Sequence, residues 1–177
     1  MNYHNITYPD MLNGDGLRVV LWLSGCSHNC YKCQNPQTHD PNSGILFDEK
    51  AEEELFRELS KDYISGLTLT GGDPLHENNL DGVLHLVDRF RLLFPNKSIW
   101  IYSGYQWSEI FNDGVYLTKN CYGWKRREIV RQCTVMVDGR YIDSQRNPSK
   151  KWAGSNNQHV IDIQQSLQKG EIVLWKC

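Results

Sequence analysis

The sequence lacks any apolar run near the roughly 18 to 20 residues needed to span a bilayer, and no charged-then-apolar segment opens it. No membrane association is expected, and the expected compartment is the cytoplasm. It also lacks a charge excess: 19 Lys and Arg against 21 Asp and Glu leave a net charge of -2, which offers nucleic acid no electrostatic footprint. Internal repeats and low-complexity tracts are absent. A second cysteine pair of the kind that closes structural zinc sites is absent too. The 177 residues, 40% hydrophobic and 23% charged, fit one soluble domain with a real core. Six cysteines therefore do not point to a disulfide framework, which small secreted chains need for want of a core.

Three of those cysteines are crowded into Cys26-Ser27-His28-Asn29-Cys30-Tyr31-Lys32-Cys33. Thiolates at this spacing suit a metal, either zinc completed by His28 or His39 or an iron-sulfur cluster. A four-iron cluster on three cysteines would keep one iron open. Cys121, Cys133 and Cys177 are scattered and carry no such signal.

Strand and helix signals alternate along the chain. Met1 to Leu17 reads as polar and turn-rich, with Asn13-Gly14-Asp15-Gly16 as a breaker. Arg18 to Leu23 reads as a strand buried on both faces. Asp48 to Lys61 predicts a helix capped by Asp48, and Leu67 to Thr70 a strand stopped by Gly71-Gly72-Asp73-Pro74. Asn79 to Phe94 predicts a second helix, Ser98 to Tyr102 a third strand, and Trp107 to Phe111 a short helical piece. Asn112 to Gln132 is the least readable stretch, with a basic helix over Lys125 to Arg131. Cys133 to Val137 predicts a fourth strand, with weaker strand signals at Val160 to Ile163 and Glu171 to Trp175.

Long crossovers between strands imply a parallel α/β sheet. Ligands collect at the C-terminal strand ends of such sheets, where the cysteine loop, Gly71-Gly72-Asp73-Pro74 and Ser103-Gly104-Tyr105 all fall.

With Cys26, Cys30, Cys33 and Gly71-Gly72-Asp73 placed in this order, the chain resembles the radical S-adenosylmethionine superfamily. The resemblance implies a partial TIM-like barrel with parallel strands and outer helices. It forms a single domain over 1–177, with a core of about 15–163 and a tail, 164–177, of unassigned role. It implies one 4Fe-4S cluster on Cys26, Cys30 and Cys33, the catalytic and metal-binding residues, with S-adenosylmethionine chelated to the open iron. Reductive cleavage of the sulfonium would then yield a radical that abstracts hydrogen.

Cofactor contacts are expected from Lys32, Cys33, Gln34, Gly71, Gly72, Asp73, Ser103, Asp138 and Asn157. Gly71 and Gly72 would bring backbone carbonyls up to the methionine amino group. Lys32 stands where the superfamily usually has an aromatic residue, and Gln34 where a tyrosine follows the third cysteine. His28 reads as a solvated loop residue.

Further matches at Met1-Asn2-Tyr3, Thr70 to Leu75, Val137-Asp138-Gly139 and Trp152-x-Gly154-Ser155-x-Asn157-Gln158 resemble the activating proteins of anaerobic ribonucleoside-triphosphate reductase. This implies a glycyl-radical partner, the large reductase subunit, and an electron donor such as flavodoxin. Another small radical enzyme, either a different glycyl-radical activase or a modified-base synthase, and a zinc-stabilised binding module remain the alternatives.

Overall fold

The structure is a computed structural model that describes residues 1–111 and 121–176. The first part of the poorly readable stretch, 112–120, and Cys177 lie outside the described residues.

Among the described residues seven strands form one sheet in the order β3-β1-β2-β4-β5-β6-β7. They are β1 (Asn2–Asp10), β2 (Arg18–Leu23), β3 (Ile45–Leu46), β4 (Gly66–Gly71), β5 (Ser98–Tyr102), β6 (Val135–Asp138) and β7 (His159–Asp162). The central four, β2, β4, β5 and β6, are parallel. Their in-register rows, such as Leu21 with Leu69 and Leu69 with Ile101, place the loops after β2, β4, β5 and β6 at one edge.

The expected sheet was parallel throughout; instead β1, β3 and β7 pair antiparallel. Of the segment Met1 to Leu17 read as turn-rich, Asn2–Asp10 are the nine-residue β1, while the breaker Asn13-Gly14-Asp15-Gly16 lies in the bends before β2. Only Tyr3 and Ile6 of β1 are buried, so its hydrophobic signal is thin and the ladder to β2 supplies what the sequence pattern does not. The stretch 171–175 forms no strand and meets β7 through a single bridge between Ile161 and Leu174.

Among the described residues five α-helices cover the sheet: α1 (Glu49–Leu59), α2 (Leu80–Leu93), α3 (Trp107–Phe111), α4 (Cys121–Gln132) and α5 (Ile163–Lys169). As expected, Asp48 caps α1 by accepting the Ala51 N–H at 3.0 Å. Leu55 and Leu59 of α1 are fully buried, each contributing about 2 kcal/mol by burial.

The two sheet faces carry different chemistry. Val19, Leu21, Leu23, Leu67, Leu69, Ile99, Ile101 and Met136 join the helices in one apolar core. The alternate residues, set by the period of two along each strand, face the other way. Towards the C-terminal edge these are Trp22, Thr70, Tyr102 and Val137, which line a cavity. Towards the other edge Arg18, Thr68 and Trp100 are buried, and Trp152 and Trp175 lie edge-on to Trp100, with centroids at 4.7 and 5.8 Å. The inner face is thus floored at one end and open at the other.

Candidate metal centre

At the open end the loops after β2, β4, β5 and β6 surround two adjoining cavities. The smaller, about 140 Å³, is lined by Cys26, Cys30 and Cys33 together with Gly71, Gly72 and Asp73. The larger, about 370 Å³, shares Cys30, Cys33, Thr70 and Tyr102 with it and extends to Leu12, Trp22 and Trp152. The three sequence motifs expected to converge therefore do, Ser103 and Gly104 lining the smaller cavity as well.

The cysteine loop is coiled tightly. Its N-terminal end is pinned by Gly25 N–H to Thr38 O at 2.7 Å and Cys26 N–H to His39 O at 3.0 Å. Further along, Asn29 and Lys32 adopt positive φ, and Cys33 N–H closes a turn onto Cys30 O at 3.1 Å. The three thiols are free and half-buried.

Burial pushes the Cys26 thiol up to about 11, with the Asp73 charge adding to the effect. Cys30 is also raised by burial. A metal that binds here as thiolate complex must displace protons.

Among the described residues no three His, Cys, Asp or Glu side chains gather on a single point as an ion requires. Cys26, Cys30 and Cys33 line one cavity, and the ring of His28 is taken up by Asp73 and Arg140.

The two glycines are required by backbone packing. A Cβ on Gly72 would lie 2.6 Å from Gly25 O, and one on Gly71 2.8 Å from Leu23 N, at a φ of +99°. Gly72 N–H donates to Leu23 O and Asp73 N–H to Gly25 O, both at 2.7 Å. The glycine stretch and the start of the cysteine loop are thus locked backbone to backbone.

The other expected contacts divide. Asp73 is 2% exposed, and its carboxylate accepts from Leu75 N–H, Ser103 Oγ, Gly104 N–H and His28 Nε2. Its acceptor positions are occupied by the protein, and Ser103 is one of its donors. Asp138, 3% exposed, accepts from Trp107 N–H and His159 N–H, which ties β6 to its neighbours.

Asn157 donates to Arg140 O at 2.8 Å, while its buried Oδ1 has no partner. Lys32 turns outward to an exposed ion pair with Asp143 at 2.9 Å, and Gln34 lines the larger cavity.

His28, read as solvated, is buried: its side chain is 5% exposed. Two lining residues had escaped notice, Arg140 and Tyr141. Their signal was position, directly after the strand end at Val137-Asp138-Gly139.

Residues 12–161 match the model of a family described as a 4Fe-4S single cluster domain. An anaerobic ribonucleoside-triphosphate reductase-activating protein of Enterobacteria phage T4 is 40% identical over 161 residues, covering 90% of this chain and 93% of that one. Proteins of the same name from Escherichia coli K12 and Pasteurella multocida are each 36% identical, over 90% and 93% of this chain and 97% and 99% of theirs. The chain belongs to the anaerobic ribonucleoside-triphosphate reductase-activating proteins. The span matched to the cluster domain contains all three loop cysteines and the glycine stretch, and ends within β7. Among the described residues of this family member, no helix is long and apolar enough to cross a membrane.

Proposed function

We propose that Cys26, Cys30 and Cys33 hold one 4Fe-4S cluster with one iron open to S-adenosylmethionine, making this protein a radical S-adenosylmethionine activase. Its protein substrate is the large subunit of anaerobic ribonucleoside-triphosphate reductase, in which it generates a glycyl radical. The observation that carries this reading is the set of three free thiols on one loop facing Gly71 and Gly72 across a shared cavity. Cys133 is no fourth ligand, since it is buried on the helix side with its Sγ donating to Ile129 O.

When bound, the cluster supplies the electron that cleaves the sulfonium reductively. The chain's own residues bind and shelter. Gly71 and Gly72 line the cavity, where their carbonyls would accept from a ligand amino group, while their missing Cβ atoms make room for Leu23 and Gly25. Trp22, Tyr102 and Trp152, along the larger cavity, provide apolar walls for a nucleoside and for an incoming protein segment, and exclude water there. In this reading the open sheet, helices on one face and cavity on the other, is the partial barrel of the superfamily, and its unclosed side admits the partner's glycine. A small one-electron carrier such as flavodoxin is the electron donor that the family resemblance implies.

The names of the relatives favour this substrate over that of another small radical enzyme. The test is anaerobic reconstitution with iron and sulfide, followed by incubation with reductant, S-adenosylmethionine and the reductase. A glycyl-radical doublet in the electron paramagnetic resonance spectrum is expected with the unaltered protein and not with Cys30→Ala. A protein that retains zinc and takes up no iron or sulfide would overturn the reading.

A further inference from the structure

His28 stands between the ligand cysteines Cys26 and Cys30, yet its ring points away from solvent and under the neighbouring loops. Both ring nitrogens are engaged, Nε2 at 2.7 Å from Asp73 Oδ2 and Nδ1 at 3.1 Å from Arg140 Nε. An arginine Nε–H can only donate, so Nδ1 is the acceptor and the ring proton sits on Nε2, where it donates to Asp73.

The space around the ring is fitted to it. A Cβ on Gly104 would lie 2.2 Å from His28 Cδ2, and Tyr105 meets the ring edge-on at 4.7 Å. A residue that only filled space would need neither nitrogen paired; here each pairs with a group on a different loop. Asp73 follows the two glycines directly, so His28 links the middle of the cysteine loop to the glycine stretch, and Arg140 links both to the end of β6.

We propose that His28 is a positioning residue: it fixes the cysteine loop against Gly71-Gly72 through Asp73 and moderates the Asp73 carboxylate beside the cluster. The proposal rests on the cluster assignment above. A buried carboxylate near the cluster disfavours the reduced, more negative state, and a hydrogen bond to it weakens that effect. Losing His28 and neutralising Asp73 should therefore shift the cluster potential in opposite directions.

The test compares the unaltered full-length protein with His28→Leu, His28→Gln, Gly104→Ala and Asp73→Asn. Amide exchange over 26–33 is measured on the metal-free chains, and the midpoint potential on the reconstituted ones. His28→Leu and Gly104→Ala, whose methyl displaces the ring, should exchange about tenfold faster and shift the potential to more negative values. His28→Gln, which can donate to Asp73 and accept from Arg140, should stay close to the unaltered protein. Asp73→Asn should shift the potential to more positive values.

Equal exchange and potential in His28→Leu and the unaltered protein would overturn the proposal, as would His28→Gln behaving like His28→Leu or Asp73→Asn shifting the potential the same way as His28→Leu. If the unaltered protein takes up no iron and sulfide, the cluster assignment fails, and exchange in the metal-free chains alone decides whether His28 tethers the loop.

Discussion

The guanidinium of Arg18 lies 5.5 Å from the centroid of the Trp100 ring, fully buried at the closed end of the inner sheet face. It spends its donors on Thr68 Oγ1, Asp15 O, Ser98 Oγ, Leu67 O and Ser98 O, at 2.6 to 3.1 Å. Burial lowers it to about 10, still charged at neutral pH. Arg18 thus joins the starts of β2, β4 and β5 to the N-terminal loop and supports the Trp100–Trp152 pair that floors the larger cavity.

Arg18→Ala should cost on the order of 3 kcal/mol, because several buried carbonyls and hydroxyls lose their donor at once. Arg18→Lys should recover only part of this, since an ammonium has no planar fork. Urea unfolding of the metal-free protein checks both, with the midpoint falling and the slope unchanged.

Gly72→Ala should destabilise by about 2 kcal/mol and reduce iron retention together, since its Cβ would collide with Gly25 O at the base of the cysteine loop. Gly170→Ala is the control: its Cβ meets nothing within 4 Å, so it should carry only the left-handed backbone cost, about 1 kcal/mol, and leave iron retention unchanged. Iron analysis beside thermal unfolding separates the two effects.

Burial raises the Cys133 thiol from its ordinary 9.0 to about 12. The unfolded chain therefore releases this proton first, and stability falls as pH rises from about 9 towards 12. The loss from this group is roughly 1.4 kcal/mol at pH 10. Cys133→Ala should unfold more easily at neutral pH, through its lost packing, but should show a shallower decline above pH 9. Denaturant midpoints at pH 7.5 and pH 10 give the difference.

Lys32→Ala should leave stability within about 0.5 kcal/mol and leave iron content unchanged, because its ion pair with Asp143 is solvent-exposed, with the Lys32 side chain 60% exposed. A large loss of iron in this variant would show that Lys32 turns inward when the site is filled.

Legibility tracked the strength of local pattern. The strand Ser98–Tyr102 and the Asp48 cap were read correctly, since a short apolar run before a breaker and a capping aspartate are local signals. The β1 strand was missed because few of its residues are buried and apolar, and its stability comes from pairing with β2. The antiparallel β7 could not be told from a parallel strand, since strand direction leaves no mark on composition.

The meeting of the three cysteines and two glycines at one cavity was legible because their chemistry and spacing are local. His28 was misread because nothing near it in sequence reveals Asp73, 45 positions away, or Arg140, 112 positions away.

The sequence alone determined which groups could meet: three thiols within eight positions, a pair of glycines where backbones must meet, and alternating elements that bring them to one edge. Only the tertiary structure decided how the neighbouring polar residues are used. It turned Lys32 outward to Asp143, enclosed Asp73 in hydrogen bonds, and buried His28 between loops. The reason is physical: a buried polar group must find a partner, and which partner is in reach depends on how distant loops pack.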